Sequence, residues 1–135
     1  MEDALKELYN VILDRRSNPT EGSYTCYLFE QGLDKILKKC GEECSETIIA
    51  AKNLAAAVNI GEMGEREAEA EATVLDSKKD MLKADVENEV CDLIYHLMVL
   101  LVQMDIPLES IGEILEKRSA KIGNLKQFHT VERNS

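Results

Sequence analysis

The sequence predicts an all-α protein, a small helical bundle of four to five helices with two long antiparallel helices at its centre. Only two of the 135 residues are proline, whereas strong helix formers such as alanine, leucine, glutamate and lysine are abundant. Apolar residues recur at intervals of three and four along several segments, which is the period of a helix that packs on one side. The length suits one domain, residues 1–135, and the absence of tryptophan predicts an aliphatic core.

The N-terminal part of the chain predicts an amphipathic helix, a loop and a short helical segment. Residues 2–16 carry apolar side chains at helical spacing, namely Leu5, Leu8, Tyr9, Ile12 and Leu13. Residues 17–22 contain Pro19 and Gly22 and are typical of a loop. The apolar stretch TCYLFEQG that follows fits one or two helical turns.

Two long helices are predicted in the middle of the chain. The first extends from Asp34, a candidate cap, to about residue 59, and the second from about residue 80 to 105, before Pro107. Their expected inward faces are marked by Cys40, Cys44, Ile48 and Ala51 on the first helix and by Val86, Leu93, Leu97 and Leu101 on the second. A last helix over about residues 108–119 should turn Ile111, Ile114 and Leu115 inward, ahead of a polar tail at about residues 120–135.

An acidic stretch separates the two long helices. Residues 61–80, GEMGEREAEAEATVLDSKKD, contain five glutamates between Glu62 and Glu71 and few apolar residues. Alternating glutamate and alanine tolerate a helix, yet nothing in the pattern would anchor one to a core, so a solvated helix and a mobile excursion both fit. We interpret about residues 60–86 as an acidic insertion in the helical connection.

Charge and cysteine content restrict the partners and the compartment. Acidic residues outnumber basic ones by 26 to 16, and this net charge of −10 would repel a nucleic-acid backbone. A phosphorylated small molecule fits only where metal ions or a cationic patch offset the acids. No Cys-x-x-Cys pair occurs, the N-terminus is unlike a signal peptide, and the apolar run 97–102 is too short to span a bilayer. We therefore expect a cytoplasmic protein with reduced thiols and no membrane contact.

Two pairs of acids have the spacing of a metal site. Glu43 and Glu46 lie three residues apart on the first long helix, beside Glu42, and Glu89 and Asp92 repeat the spacing on the second. If the helices pack antiparallel, the four carboxylates can converge on hard divalent cations, and four acids suggest more than one Mg²⁺ per site. Glutamates three apart are also common on solvated helix faces, so spacing alone does not separate a metal site from a surface.

Longer motifs surround these acids. The segments KILKKCGEECSETIIAAKN and ENEVCDLIYHLMVLL, with SYTCYLFEQGLDKIL upstream, strongly resemble phosphoribosyl-ATP pyrophosphatase of histidine biosynthesis, a family of the all-α, MazG-like nucleotide pyrophosphatases. The resemblance covers about residues 5–118. It implies a homodimer, with active sites near the subunit interface, that hydrolyses 1-(5-phosphoribosyl)-ATP to phosphoribosyl-AMP and pyrophosphate.

The resemblance also implies the roles of individual residues. Glu43, Glu46, Glu89 and Asp92 would hold Mg²⁺, and Glu42 would be an extra ligand or the base. Either Glu43 or Glu42 would orient or deprotonate the attacking water. Resemblance and position together give the expected substrate contacts, which are Lys39, Lys52, Arg15, Arg16, Tyr24, Thr25 and His96. A histidine beside carboxylates is also often a hydrogen-bonded packing residue, so His96 has two interpretations.

Two departures from the family pattern leave other functions open. The 42 residues between Glu46 and Glu89 exceed the usual family connection, and the C-terminal KIGNLKQF matches the family tail poorly. The alternative enzyme is a MazG-like or dUTPase-like pyrophosphatase that acts on a (deoxy)nucleoside triphosphate. An alternative from another class is an acidic helical interaction protein, which predicts that neither structure nor activity depends on Mg²⁺.

Overall fold

The chain folds into five helices in a computed structural model that describes residues 1–63 and 69–123, with side chains for residues 1–59 and 72–123. The helices are α1 (Glu2–Ser17), α2 (Tyr24–Gln31), α3 (Leu33–Met63), α4 (Glu69–Gln103) and α5 (Leu108–Gly123). Within these ranges no strand occurs, which confirms the all-α prediction. The polar tail lies outside the described residues from residue 124 onward.

Helices α3 and α4 pair along their length and form the centre of the molecule. They are antiparallel, because Glu43 lies level with His96 whereas Glu46, further along α3, lies level with Glu89, earlier on α4. Both helices are longer than the sequence predicts, since α3 continues to Met63 and α4 already begins at Glu69. Helical structure therefore covers much of the acidic stretch, of which residues 64–68 lie outside the described residues. The interpretation of residues 60–86 as an insertion stays a prediction.

Helices α1 and α2 pack against one end of the α3–α4 pair and enclose the core there. Its buried members are Ile12, Leu28, Ile36, Cys40, Met98, Val99 and Val102. The Ser23 side chain caps α2 by accepting a hydrogen bond from the Cys26 N–H. Gly32, with a φ of 92°, provides the left-handed break that separates α2 from α3. As a result α3 begins at Leu33, and Asp34 lies in its first turn instead of capping it.

The side chains that face inward differ from those the apolar pattern predicts. On α3, Cys44, Ile48 and Ala51 are exposed, and on α4 so is Leu97. Their expected positions in the core are wrong within this chain, because the apolar sequences of α3 and α4 permit several rotations about the helix axes. Packing against α1 and α2 selects the rotation that buries Ile36 and Cys40 on α3 and Met98, Val99 and Val102 on α4.

Helix α5 leaves the bundle after a sharp change of direction. Asp105, with a φ of 55°, follows the end of α4, and Leu108 begins α5. Ile114 and Leu115 are exposed, so their predicted inward orientation is wrong for the single chain, in which α5 has few neighbours. Of the described helices, none by itself is both long and apolar enough to cross a bilayer, and a span would need α4 and α5 together across a 120° bend.

Candidate active site

Three of the predicted acidic ligands come together between α3 and α4. One carboxylate oxygen from each of Glu43, Glu46 and Glu89 lies within 4.8 Å of the others, and we call these residues the carboxylate triad. Spacing of three residues puts Glu43 and Glu46 on adjoining turns of α3, and the antiparallel partner helix supplies Glu89. The sequence predicted this convergence as the consequence of antiparallel packing.

Two of the three acids of the carboxylate triad are withdrawn from solvent, whereas Glu46 is exposed. The exposed fraction of Glu43 is only 5%, and Glu89 is half-buried. The Oε2 atoms of both residues are buried without a hydrogen-bond partner. Buried carboxylate oxygens that lack a partner are costly, and a hard divalent cation is the ligand that would satisfy several of them at once. The residues present therefore fit a metal ion.

Asp92, the fourth predicted ligand, lies outside the carboxylate triad. Its side chain is exposed, one turn beyond Glu89, and its backbone carbonyl accepts a hydrogen bond of 2.7 Å from Nδ1 of His96. A change of side-chain rotamer would be needed for Asp92 to join the other acids. Its role as a ligand stays a prediction.

Lys39 joins the carboxylate triad to Glu42. Its Nζ atom lies 3.0 Å from Oε2 of Glu42 and 3.4 Å from Oε1 of Glu43. The hydrogen bond to Glu42 raises the pKa of Lys39 and, from the other side, lowers the pKa of Glu42. Lys39 thus stays an ammonium beside the acids. Lys52 is exposed further along α3, and no described carboxylate lies within salt-bridge distance of it.

His96 connects the carboxylate triad to α2. It is buried, with an exposed fraction of 5%, and its Nδ1 atom lies 3.9 Å from Oε1 of Glu43. Since Nδ1 donates to the Asp92 carbonyl, Nε2 accepts the hydrogen bond of 3.0 Å from the Tyr24 hydroxyl. Burial raises the pKa of Tyr24, so its hydroxyl keeps the proton that it donates. A buried ring with hydrogen bonds at both nitrogens fits the interpretation of His96 as a hydrogen-bonded packing residue.

Thr25 and the two predicted arginines make contacts within the fold. The Thr25 hydroxyl hydrogen-bonds the hydroxyl of Tyr95 on α4. Arg15 pairs with Asp14 at 3.2 Å. Arg16 donates a hydrogen bond to the backbone carbonyl of Val102 and pairs with the Asp105 carboxylate at 2.7 Å, so it binds the C-terminal end of α4. Val102 lies 13 residues beyond Glu89, about 20 Å along the helix, so Arg16 is far from the carboxylate triad. Substrate contacts by these residues stay predictions.

Sequence reasoning did not assign Tyr27 or Lys35, which lie near the site, to it. Tyr27 is 41% exposed and stacks beside Tyr24, with ring centroids 6.1 Å apart. Lys35 lies one turn before Lys39 on α3, with its Nζ atom 5.9 Å from the centre of the Tyr27 ring. The spacing of four residues between Lys35 and Lys39 indicates that they share one face of α3, whereas the contact of Lys35 with Tyr27 on α2 could not be predicted from the sequence.

An open groove of about 810 Å³ lies along α2 and the loop that precedes it. Residues 19–23 of the preceding loop line it together with Tyr24, Cys26, Tyr27, Phe29 and Glu30. Its acidic members, Glu21 and Glu30, would repel a phosphate group. The groove is therefore a poor site for the charged end of a nucleotide.

Comparison with known proteins agrees with the geometry. The family model described as phosphoribosyl-ATP pyrophosphohydrolase matches residues 5–119. A protein of Clostridium novyi named phosphoribosyl-ATP pyrophosphatase is 48% identical over 124 residues, which are 92% of this chain and 88% of that protein. One of the same name from Clostridium acetobutylicum is 47% identical over 125 residues, 93% of this chain and 89% of that one. A histidine biosynthesis bifunctional protein of Caldanaerobacter subterraneus is 45% identical over 119 residues, 88% of this chain but 45% of its own length. These similarities confirm the resemblance found in the sequence.

Proposed function

Because the chain belongs to the phosphoribosyl-ATP pyrophosphohydrolase family, we propose that it hydrolyses the α–β phosphoanhydride of 1-(5-phosphoribosyl)-ATP. The products are 1-(5-phosphoribosyl)-AMP and pyrophosphate, and the reaction is the second step of histidine biosynthesis. The observation that carries this proposal within the chain is the carboxylate triad with its two unpartnered, buried oxygens. A helical interaction protein would have no reason to hold such acids in its interior.

Mg²⁺ is the proposed cofactor, held by Glu43, Glu46 and Glu89. Bound there, it would neutralise phosphate oxygens and the leaving pyrophosphate, and it would lower the pKa of a bound water. We propose that Asp92 completes the ligand set and that the site takes more than one ion. Each added cation would offset part of the repulsion that the acids exert on one another and on the ionised triphosphate.

Glu42 and Lys39 are suited to act on the attacking water and on the phosphates. The lowered pKa of Glu42 keeps it ionised at neutral pH, where it accepts a hydrogen bond readily but takes up a proton weakly. Glu42 therefore orients the water more effectively than it deprotonates it. Lys39 stays charged next to the triad and offers its remaining N–H to a phosphate oxygen.

The neighbouring residues organise the entrance to the site. The hydrogen bonds from Tyr24 to His96 and between Thr25 and Tyr95 fix the first turn of α2 against α4. Lys52, exposed on α3 beyond Glu46, is free to meet the outgoing pyrophosphate. We retain Arg15 as a candidate phosphate contact, since its exposed ion pair with Asp14 is easily exchanged for another anion.

The proposal includes a homodimer in the cytoplasm. The α3–α4 pair leaves large apolar side chains exposed along its length, and Ile48, for example, is 64% exposed. Further examples are Ile49, Val74, Met81 and Val90. A two-helix arm with apolar residues on its outer faces needs a partner surface, and a second copy of the same arm supplies one. The free thiols of all four cysteines suit a reducing compartment.

The assay of the purified protein with phosphoribosyl-ATP and with a panel of nucleoside and deoxynucleoside triphosphates tests the function. We expect Mg²⁺-dependent release of pyrophosphate from phosphoribosyl-ATP, and a loss of at least about 100-fold in Glu89→Gln, since it removes a proposed ligand of the Mg²⁺ that would stabilise the reacting phosphates. Glu87→Gln, two residues away on the exposed side of α4, is the matched control and should keep its activity. Cleavage of the triphosphates alone would favour the MazG-like alternative, and no Mg²⁺-dependent cleavage would favour the interaction protein.

A further inference from the structure

We propose that Tyr27 and Lys35 form a subsite for the end of the substrate that is not hydrolysed, with the purine on the Tyr27 ring and the 5′-phosphate of the second ribose on the Lys35 ammonium. This inference rests on the proposed function. It assigns the residues that distinguish phosphoribosyl-ATP from an ordinary nucleoside triphosphate. The two substrates share the triphosphate that the carboxylate triad acts on, so the distinction has to be made elsewhere.

Lys35 forms no salt bridge within the described residues, although its charge helps to lower the pKa of Glu42. In a chain with a net charge of −10, Lys38 and Lys39 both pair with Glu42, whereas no described carboxylate lies within salt-bridge distance of Lys35. Its described partner is the Tyr27 ring, whose centre lies 5.9 Å from Nζ. An ammonium that lies against an aromatic face and has no salt bridge to a described carboxylate can receive an anion.

The two exposed tyrosine rings offer a stacking surface next to this ammonium. Tyr24 and Tyr27 are 45% and 41% exposed, and their planes are inclined by only 28°. His96 holds the Tyr24 hydroxyl, which stabilises the arrangement, while no described hydrogen bond occupies the Tyr27 hydroxyl. Tyr27 therefore contributes its ring alone, and a purine can stack on that ring without breaking a contact of the fold.

The position of the subsite agrees with the length of the substrate. Lys35, Lys39 and Glu43 follow one another at intervals of four on α3, so they share one face of the helix. Lys35 lies eight residues from Glu43, about 12 Å along the axis. In phosphoribosyl-ATP an adenosine and a second ribose stand between the triphosphate and the 5′-phosphate that Lys35 would contact, and a folded conformation of these groups can span that separation. One face of α3 can thus contact both charged ends.

Kinetics with two variants of each residue test the subsite. Lys35→Gln should raise KM for phosphoribosyl-ATP about tenfold, the loss of one charge-assisted contact, and change kcat less than about twofold. Lys35→Arg should restore KM to within about threefold, because it keeps the charge. Tyr27→Leu should raise KM about tenfold, whereas Tyr27→Phe should act like the wild type. Lys83→Gln, an exposed lysine of α4, is the matched control.

Product affinities separate this inference from the proposed function. By calorimetry, Lys35→Gln should lower the affinity for phosphoribosyl-AMP about tenfold and leave the affinity for AMP unchanged, whereas Tyr27→Leu should lower both affinities. The subsite is overturned if the active enzyme keeps its KM and its product affinities in Lys35→Gln. A wild type that fails to cleave phosphoribosyl-ATP would overturn the proposed function instead, and the affinity ratio of phosphoribosyl-AMP to AMP would still judge the subsite.

Discussion

Replacement of Glu43 by glutamine should have opposite effects on the stability of the metal-free protein and on its response to Mg²⁺. The glutamine keeps the length of the side chain and removes one buried negative charge. At an effective dielectric constant of about 20, two like charges 4.8 Å apart repel by about 3.5 kcal/mol, and an opposite pair at 3.4 Å attracts by about 5 kcal/mol. Glu43 has two such acidic neighbours, one of them the exposed Glu46, and one cationic neighbour, Lys39.

The electrostatic effects of this substitution therefore nearly cancel in the absence of metal. Water screens the repulsion from Glu46 to about half its value, so the total repulsion on Glu43 is about 5 kcal/mol, equal to the attraction by Lys39. The desolvation cost of a carboxylate with an unpartnered oxygen then decides whether the substitution stabilises or destabilises the metal-free protein. We expect Glu43→Gln to be at least as stable as the wild type in EDTA, whereas most substitutions at buried positions destabilise.

In Mg²⁺ the wild type should be more stable than Glu43→Gln. At 100 times its dissociation constant, a ligand of the folded state adds about 2.7 kcal/mol, which raises the Tm of a domain of this length by about 10 °C. Thermal melts at one protein concentration, in EDTA and in saturating Mg²⁺, measure the shift. Glu43→Gln should lose most of it, and Glu87→Gln, an exposed acid of α4, should keep it.

Two outcomes would refute this reasoning. If Mg²⁺ raised the Tm of Glu43→Gln as much as that of the wild type, the triad would not hold the ion. A drop of the metal-free Tm by more than about 5 °C, relative to the wild type, would show that attraction by Lys39 outweighs the repulsion and desolvation at Glu43.

Three further substitutions test the surroundings of the triad. Arg16→Ala should lower the free energy of unfolding in urea titrations by about 1–2 kcal/mol, since it removes a hydrogen bond to a carbonyl at the end of α4, and it should leave KM unchanged. A raised KM at unchanged stability would instead make Arg16 a substrate contact. Asp92→Asn should weaken Mg²⁺ binding in the same melts although Asp92 lies outside the triad, and an unchanged shift would exclude it as a ligand. Glu42, whose folded-state pKa lies below its ordinary 4.5 because of Lys39, adds stability that is present above pH 4.5 and lost as the pH falls further. Glu42→Gln should therefore show a smaller loss of stability than the wild type between pH 5 and 3, and parallel pH profiles would contradict the pairing.

The order of the helices could be read from the sequence, and so could the acids that meet. The spacing within Glu43-x-x-Glu46 places both side chains on one side of α3 whatever surrounds the helix, because 3.6 residues make a turn. The break at Gly32 and the longer reach of α3 and α4 into the acidic stretch were not predicted. Helical propensity there was ambiguous, and the antiparallel partner decided it.

The sequence by itself determined that the protein is helical, that it carries paired acids at ligand spacing and which family it resembles, because these are properties of local order along the chain. Only the tertiary structure decided which sides of α3 and α4 turn inward. Cys44 and Ile48 were expected in the core and are exposed, whereas Glu43 and His96 are buried. A helix that is apolar on several sides has no preferred rotation of its own, so the packing of α1 and α2 against it sets the rotation. The hydrogen bond from Tyr24 to His96, 72 residues apart, exists only because that packing brings α2 against α4.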